Sequence, residues 1–459
     1  EEMIESWETD LDVHYRYWGS FILIAILCVI LQLMGPQKPP SIALATSKFS
    51  NFQRNYLQVY LLATFSDWLQ GPYVYQLYAS YGFSQSEIAE LFVSGYASSM
   101  VFGTFVGGLA DNLGRKSMCI MFSICYITAC FTKLVPNYWI LLLGRLFSGI
   151  STSLLFSAFE SWMIGEHFKQ GFDSTSLSET FSYITFGNGL VAVCAGLIAN
   201  SAASSFGFVA PFILAIIPLS VVSLLVLTTW SENYGNQQQN MMSSLSQGFE
   251  LIRKDSRIAA LGLGQSCFEG SMYTFVFMWT PALKSAGPTG EDPTSKYLGL
   301  IFAVFMVSVM VGSSLFKIFS ARRDTLYKIP IYMHSVACLS MLVTTLFLEN
   351  KAVVYLMFLV FECTVGLFYP SYGVIKSERI PEEIRSAVMN IFRIPLNGFV
   401  VLLLLKIKFL SPTIVFSVCT FTHFLALLCY LYFYAFSRTG DKNDDKLAKD
   451  EEAALVEVS

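Results

Sequence analysis

Charged residues are scarce in this sequence: Asp, Glu, Lys and Arg make up 14% of its 459 residues, whereas a soluble domain usually carries about 25%. The net charge is -4, so no excess of basic residues is present to hold nucleic acid. There are only four histidines, and the sequence shows neither a glycine-rich phosphate loop nor a nucleophile with a histidine and an acid. These shortages argue against a soluble domain, a nucleic-acid-binding protein and an enzyme.

Cysteine is present, but not at the spacings that bind metals or form disulfides. All ten cysteines fall inside long apolar stretches. We therefore predict that they are small core residues, and we expect no metal site and no cofactor.

Apolar residues dominate instead, at 54% of the chain with a mean hydropathy of +0.54. A helix that crosses about 30 Å of hydrocarbon needs roughly 20 mostly apolar residues. Because a backbone in lipid must satisfy its own hydrogen bonds, we predict an all-α polytopic membrane protein. Thirteen segments qualify as spans: 17–34, 56–79, 87–110, 117–136, 138–163, 177–202, 208–230, 258–283, 297–319, 329–348, 352–374, 387–405 and 411–436.

The basic residues predict the orientation. If the amino terminus is extracellular, 20 of the 29 lysines and arginines fall on the cytoplasmic side and 7 on the outer side. Arg145 and Arg393 lie within spans. Positive charge favours the cytoplasmic side, so we expect an extracellular amino terminus and a cytoplasmic carboxyl terminus.

The longest polar interruption divides the spans into two sets of six, preceded by one extra span. We predict five regions: an extracellular N-terminus with the extra helix (1–50), an N-terminal six-helix bundle (51–230), a cytoplasmic linker (231–257), a C-terminal six-helix bundle (258–436) and a charged cytoplasmic tail (437–459). The tail is expected to be disordered or a short exposed helix. The halves show a weak repeat, in which Asn188-Gly-Leu-Val and Asn397-Gly-Phe-Val occupy the fifth helix of each half.

A ten-residue loop motif joins the second and third helices of the first half: Gly107-Gly-Leu-Ala-Asp111-Asn-Leu-Gly114-Arg115-Lys116. It resembles the signature loop of the major facilitator superfamily, except that Asn112 replaces the usual basic residue. The glycines permit a tight reversal, and Arg115 could pair with acids across the junction of the halves. We predict a gating role for Gly107, Asp111, Gly114 and Arg115. The alternative is that Arg115 and Lys116 only obey the positive-inside rule.

Six ionisable residues are placed in the membrane by the span lengths. Each costs about 2.5 to 3.5 kcal/mol at the centre of a helix, so such residues usually face a cavity or pair with one another. Proton uptake is a candidate role for the four acids, and structural ion pairing is the alternative. The six residues are Asp67, Arg145, Glu160, Glu269, Glu362 and Arg393.

Three proline-containing segments fall within predicted spans. We expect Gly71-Pro72, Trp279-Thr-Pro281 and Arg393-Ile-Pro395 to interrupt their helices, either to bind a ligand or as packing kinks.

Several stretches resemble the molybdate-anion transporter family more specifically: Asp67 to Tyr73, Ser153 to Trp162, Phe275 to Pro281, Gly366 to Ser371 and Phe392 to Leu396. The resemblance implies a major facilitator fold and uptake of molybdate across the cell membrane. It assigns no binding residues. A monomer embedded in the lipid bilayer is expected.

Molybdate is a tetrahedral dianion, and guanidinium groups match paired oxyanion oxygens well. Arg145 and Arg393, with Asn188 and Asn397, are therefore the predicted substrate-binding residues. Entry of a dianion against about 100 mV costs roughly 4.6 kcal/mol, so we expect uptake to be coupled to a driving ion or counter-ion. Our hypothesis is proton coupling, with Asp67, Glu160, Glu269 and Glu362 as the candidate proton carriers. A carrier of an organic solute and a transport-inactive sensor or scaffold remain alternatives.

Overall fold

The computed structural model describes residues 2–35, 47–235, 241–285, 293–320 and 323–457. All regular secondary structure in these ranges is helical. The first half of the molecule, as we name it, contains helices α2 to α9. The helices up to its end are α1 (Glu2–Met34), α2 (Ser47–Gln70), α3 (Val74–Ser80), α4 (Gln85–Leu113), α5 (Arg115–Thr132), α6 (Tyr138–Leu155), α7 (Ala158–Lys169), α8 (Ser174–Phe206) and α9 (Ala210–Thr229).

A connecting helix, α10, precedes the second half, which contains α11 to α17. The last of these helices continues through the predicted tail, so the tail is neither coil nor a separate short helix. The helices are α10 (Met241–Lys254), α11 (Ser256–Ser285), α12 (Leu298–Phe319), α13 (Arg323–Leu326), α14 (Ile329–Leu346), α15 (Lys351–Arg379), α16 (Glu382–Leu405) and α17 (Pro412–Glu457).

Each of the thirteen predicted spans coincides with one or two helices. Within the described ranges, ten helical segments are long and apolar enough to cross a membrane by length and composition. The three remaining spans lie on α2, α5 and α11, where residues such as Asp67 and Arg115 lower the mean hydropathy.

Polar side chains cap the starts of several helices. Ser84 and Glu87 form a reciprocal capping box at α4, with the Ser84 N–H donating to Glu87 Oε2 at 2.8 Å. Asn137, Asp173 and Asn350 accept backbone N–H groups at the starts of α6, α8 and α15. These caps satisfy donors that a helix start otherwise leaves unpaired.

The three proline segments behave differently from one another. Gly71–Tyr73 forms a 3-10 turn between α2 and α3, so this predicted interruption is confirmed. The other two predictions are wrong, because α11 continues through Pro281 and α16 through Pro395. A membrane helix tolerates an internal proline when its neighbours satisfy the freed backbone groups. The fourth span of the first half, in contrast, breaks at Phe156 and Ser157 without proline or glycine.

The halves pack closely at the end of the molecule that contains Pro72, which we call the Pro72 end. A Cβ added to Gly299 on α12 would lie 2.4 Å from the carbonyl oxygen of Gly196 on α8, so only glycine fits at this crossing. Beside it, Asn200 Oδ1 accepts the Tyr73 hydroxyl and the Leu300 N–H, each at 3.2 Å.

The extra helix α1 packs along α12 and touches α8. Cys28 packs with Val193 of α8 and with Ala303 and Val307 of α12. The Ser20 and Tyr355 hydroxyls are 2.8 Å apart, which links α1 to α15. Helix α1 thus contacts both halves, and its Ser20 hydroxyl is hydrogen-bonded to the second half.

Helix α10 packs against α16 and leads directly into α11. At their junction, Arg257 donates to Asp255 at 3.0 and 2.8 Å. These hydrogen bonds lower the pKa of the Asp255 carboxyl.

Candidate functional site

Arg145 lies on α6 and extends toward α4. Its Nε donates to the Leu91 carbonyl at 3.1 Å, and its guanidinium carbon lies 5.0 Å from the centre of the Phe92 ring. A Cβ on Gly95 would approach Arg145 Nη2 to 2.6 Å. The missing side chain at Gly95 therefore creates the space that the guanidinium occupies.

Asp67, near the end of α2, receives a hydrogen bond from the Tyr126 hydroxyl of α5. Lys133 and Arg145 both attract its carboxylate electrostatically. The structure thus brings two of the sequence-predicted residues, Asp67 and Arg145, into one cluster with a lysine.

Lys133 was missed by sequence reasoning, which counted it among the residues of the outer loops. It follows the last residue of α5 and is only 2% exposed. Its ammonium donates to Gln70 Oε1 at 3.2 Å and to the Ala129 carbonyl at 3.3 Å, and it lies 5.1 Å from the centre of the Phe212 ring. A lysine at a span end usually extends to water, and only the packing of neighbouring helices shows that this one does not.

The second half contains a comparable cluster around Glu269 of α11. Gln265 Nε2 donates to Glu269 Oε1 at 3.1 Å, and Lys376 of α15 donates to Gln265 Oε1 at 3.1 Å. Lys376 and Arg393 both attract the Glu269 carboxylate electrostatically. Lys376 also escaped sequence reasoning, because it lies close to the predicted cytoplasmic end of its span.

Arg393 of α16 is exposed and borders a cavity of about 150 Å³ between α4, α10 and α16. Its charge also acts on the hydroxyls of Tyr273 and Tyr369. Arg393 therefore lies beside an open space between helices of the two halves. The residues that line the cavity are Met100, Gly103, Thr104, Leu245, Asn390, Ile391, Arg393 and Ile394.

Two tyrosine rings join the clusters across the halves. The centres of Tyr96 on α4 and Tyr273 on α11 are 5.1 Å apart. Arg145 acts electrostatically on the Tyr96 hydroxyl, and Arg393 acts on that of Tyr273. The two predicted arginines thus lie on either side of one aromatic contact.

None of the six predicted membrane charges forms a salt bridge within the described residues, where the observed ion pairs involve other side chains. Glu160, at the start of α7, is exposed and acts on Tyr56 and Tyr60. Glu362 of α15 is 7% exposed, accepts no hydrogen bond within the described part of the chain, and acts on Tyr369. These two acids lie outside the two lysine-containing clusters.

The predicted asparagines already have partners. Asn188 of α8 accepts the Trp68 indole N–H at 2.9 Å, and Asn397 of α16 donates to the Arg393 carbonyl at 2.8 Å. Asn397 lies on the same helix as Arg393. Asn188 contacts Trp68, the residue after Asp67 on α2. In the ranges that the structure describes, no three His, Cys, Asp or Glu side chains could hold a metal ion.

The signature loop is a tight reversal between α4 and α5. Gly114 has a φ of 101°, which a residue with a side chain rarely adopts, whereas Gly107 lies within α4. Arg115 Nη2 pairs with Asp111 at 2.8 Å, and Nη1 donates to the Ser161 carbonyl at 3.0 Å. The expected pairing of Arg115 across the halves is absent from the described contacts: its side chain bonds to Asp111 and Ser161 of the first half, and its N–H donates to the Asn233 carbonyl just after α9.

Glu232, which follows α9, is a loop partner that the sequence did not suggest. Its carboxylate accepts the Lys116 N–H at 2.7 Å, the Ser117 N–H at 3.1 Å and the Ser117 hydroxyl at 2.7 Å. Glu232 therefore caps α5 and joins the signature loop to the end of α9.

Solved structures share this fold. A nucleoside transporter, NupG, is 16% identical with a TM-score of 0.63, covering 84% of this chain and 98% of its own. A D-xylose-proton symporter is 13% identical with a TM-score of 0.64, covering 84% of this chain and 97% of its own. These similarities confirm the predicted major facilitator fold.

Sequence relatives identify the family. The model of a family described as sugar transporters with 12 transmembrane segments matches residues 16–367. The molybdate-anion transporter of Xenopus tropicalis is 35% identical over 451 residues, which is 93% of this chain and 96% of the relative. That of Takifugu rubripes is 36% identical over 417 residues, which is 83% and 85% of the two chains. The chain therefore belongs to the molybdate-anion transporter family of the major facilitator superfamily.

Proposed function

We propose that this protein is a secondary transporter that mediates cellular uptake of molybdate by alternating access of its two halves. The names of its relatives support this substrate. The observation that carries the proposal is the pair Arg145 and Arg393, one in each half, on either side of the Tyr96 and Tyr273 contact. Neither arginine is neutralised by a salt bridge within the described residues.

The arginine pair suits a tetrahedral dianion. A guanidinium presents paired N–H donors that match two oxygens of an oxyanion, and its positive charge offsets the loss of hydration. In our proposal, Arg145 and Arg393 contact molybdate from opposite halves, and Asn188 and Asn397 supply further polar groups. Binding between the halves is the feature that alternating access requires.

We further propose that uptake is coupled to protons. A dianion entering against a membrane potential needs a driving ion, and Asp67, Glu160, Glu269 and Glu362 are acids that can carry one. Loading vesicles with defined pH gradients and potentials tests this. Uptake that is insensitive to both would contradict the coupling while leaving molybdate transport intact.

We also propose a location and orientation in the membrane, and a gating loop. We propose that the protein is a monomer in the cell membrane. The distribution of basic residues favours an amino terminus outside and a carboxyl terminus in the cytoplasm. Gly107, Asp111, Gly114 and Arg115 form the proposed gating loop at the cytoplasmic end, where rearrangement of the Asp111 and Arg115 pair accompanies opening and closing.

Uptake of labelled molybdate, in cells depleted of their own carrier, tests the function and the site together. We expect Arg145→Ala and Arg393→Ala to lower uptake by about 10-fold to 100-fold, since a hydrogen bond to a charged group contributes about 1.5 to 3 kcal/mol. Arg257→Ala is the matched control, because Arg257 pairs with Asp255 at the α10 and α11 junction. Full uptake by both variants would contradict the site alone. Absence of uptake by the native protein would contradict the function and favour an organic solute or a non-transporting role.

A further inference from the structure

Each half contains a lysine that donates to a glutamine next to a carboxylate. In the first half Lys133 donates to Gln70, three residues after Asp67 on α2. In the second half Lys376 donates to Gln265, four residues before Glu269 on α11. The arrangements differ in one respect. The amide N–H of Gln265 donates to the Glu269 carboxylate, whereas that of Gln70 donates to the Ser66 carbonyl at 3.1 Å.

The two lysines lie toward opposite ends of the molecule. Lys133 is beside Gln70, the last residue of α2, at the Pro72 end. Lys376 is beside Gln265 in the first part of α11. The other end of α11 reaches the Pro72 end, where Lys284 donates to Gln76 of α3 at 3.0 Å. The two lysines therefore lie at different levels along the direction that joins the two ends of the molecule.

Each lysine belongs to a triplet of mutually interacting charges. Lys133 interacts electrostatically with both Asp67 and Arg145. Each triplet has two cations and one carboxylate, so its formal charge is about +1 with the carboxylate ionised. The second triplet is Lys376, Arg393 and Glu269.

When Asp67 and Glu269 are both ionised, the two triplets together carry a charge equal and opposite to that of a dianion. The arginines alone would only neutralise the two carboxylates. The lysines supply the surplus, and burial of Lys133 keeps its field from being screened by water.

We propose that Lys133 and Lys376 are the residues that make the pathway selective for a doubly charged oxyanion over a singly charged one of the same shape. This inference rests on the proposed function. Lys133 acts as a positioning residue through its field, since its ammonium is already occupied by Gln70, Ala129 and the Phe212 ring. Lys376 is half-buried, and its charge lies close to that of the exposed Arg393.

Charge and packing make different predictions. Coulomb energy is proportional to the product of the charges, so removal of one positive charge costs a dianion twice the free energy that it costs a monoanion. A tenfold loss for molybdate thus corresponds to about a threefold loss for a monoanion. Loss of packing would weaken both equally.

The test measures the KM for labelled molybdate, with tungstate and perrhenate as competitors. Tungstate is a tetrahedral dianion, and perrhenate is a tetrahedral monoanion of similar size. In Lys133→Met and Lys376→Met we expect the KM for molybdate and the Ki for tungstate to rise together, and the Ki for perrhenate to rise only by about the square root of that factor. Lys376→Arg keeps the charge and should retain native ratios.

Lys284→Met is the matched control, because Lys284 also donates to a glutamine but belongs to neither triplet. It should leave the ratio of perrhenate Ki to molybdate KM unchanged. The proposal is overturned if both lysine variants change the three constants by one common factor, or change none of them. If Lys133→Met does not fold, Lys376→Met alone decides. Native protein without molybdate uptake would refute the proposed function and this inference together, whereas native uptake with an unaltered ratio refutes only the inference.

Discussion

Gly95 determines where the guanidinium of Arg145 can lie. We predict that Gly95→Ala displaces this group and lowers molybdate uptake several-fold, because the new Cβ would lie 2.6 Å from Arg145 Nη2. The contact involves the end of a flexible side chain, so the fold should be retained. Uptake should be measured together with thermal unfolding of the purified protein.

Gly398→Ala provides the comparison for this change. Gly398 also lies within a membrane helix, but a Cβ there meets no atom within 4 Å. Its uptake should equal that of the native protein. Equal uptake by Gly95→Ala would show that the position of Arg145 does not matter for transport.

At the residue scale, sequence reasoning identified the arginines and missed the lysines. Arg145 and Arg393 lie deep within apolar spans, where the cost of burial marks them as unusual. Lys133 and Lys376 lie near helix ends, where a lysine normally reaches water. Their contacts with Gln70 and Gln265 depend on which helices pack together, and no local pattern contains that information.

At the scale of single elements, Glu232 holds the start of α5. We predict that Glu232→Ala lowers the free energy of unfolding by about 1 to 2 kcal/mol, because two backbone N–H groups of α5 lose their acceptor. Thermal unfolding in detergent measures the change. Glu250→Ala, which removes an exposed pair with Lys254, should change stability by less than about 0.5 kcal/mol. Equal losses in the two variants would contradict the capping role.

The crossing of α8 and α12 gives a second prediction at this scale. Gly299→Ala places a Cβ 2.4 Å from a backbone carbonyl, which cannot move aside as a side chain can. We expect a loss of about 1 to 3 kcal/mol in stability, and lower uptake because the halves can no longer close at the Pro72 end. Gly373→Ala, with no atom within 4 Å, is the control for both measurements. Unchanged uptake in Gly299→Ala would rule out the need for this close approach.

The positions of the helices were predicted well, because the length of each apolar run determines them. The breaks within helices were predicted poorly, because the packing of neighbouring helices determines them. All thirteen spans are helical because a membrane permits little else. Pro281 and Pro395 did not end their helices, since surrounding helices can compensate for a missing N–H. The break before α7 at Phe156 has no proline or glycine signal in the sequence at all.

At the scale of the whole molecule, the described contacts close the Pro72 end. The Tyr73 hydroxyl donates to Asn200 and accepts the Gly299 N–H at 3.2 Å, which ties the two halves together. Among the described contacts, those of the signature loop at the other end go to the first half and to the segment just after α9. The arrangement corresponds to one of the two states that alternating access requires.

Weakening the closed end should shift this balance. We predict that Tyr73→Phe increases labelling of a cysteine introduced at the exposed Gly71 by a membrane-impermeant thiol reagent added outside intact cells. A few-fold increase is expected, because a lost hydrogen bond contributes about 0.5 to 1.5 kcal/mol. Tyr75→Phe in the same background should have no effect, since the Tyr75 ring packs against Phe277 and phenylalanine keeps that ring contact. Equal labelling in both would mean that the Tyr73 hydroxyl does not stabilise closure.

The division into two halves and the order of the helices were visible in the sequence, because polar interruptions and hydrophobic runs set them. The sequence did not show which of the two states of alternating access the molecule adopts. Whether Arg115 reaches the other half or stays with Asp111 depends on a rotation that changes no local preference.

Helix α1 touches both halves but is anchored to one of them. Its hydroxyl link runs from Ser20 to Tyr355, whereas only aliphatic contact connects Cys28 with Val193. If the halves move relative to one another, we expect α1 to move with α12 and α15 and to change its contacts with α8. An apolar contact has no hydrogen bond to break, so the contact of α1 with α8 should oppose such a displacement less than the link between Ser20 and Tyr355 does.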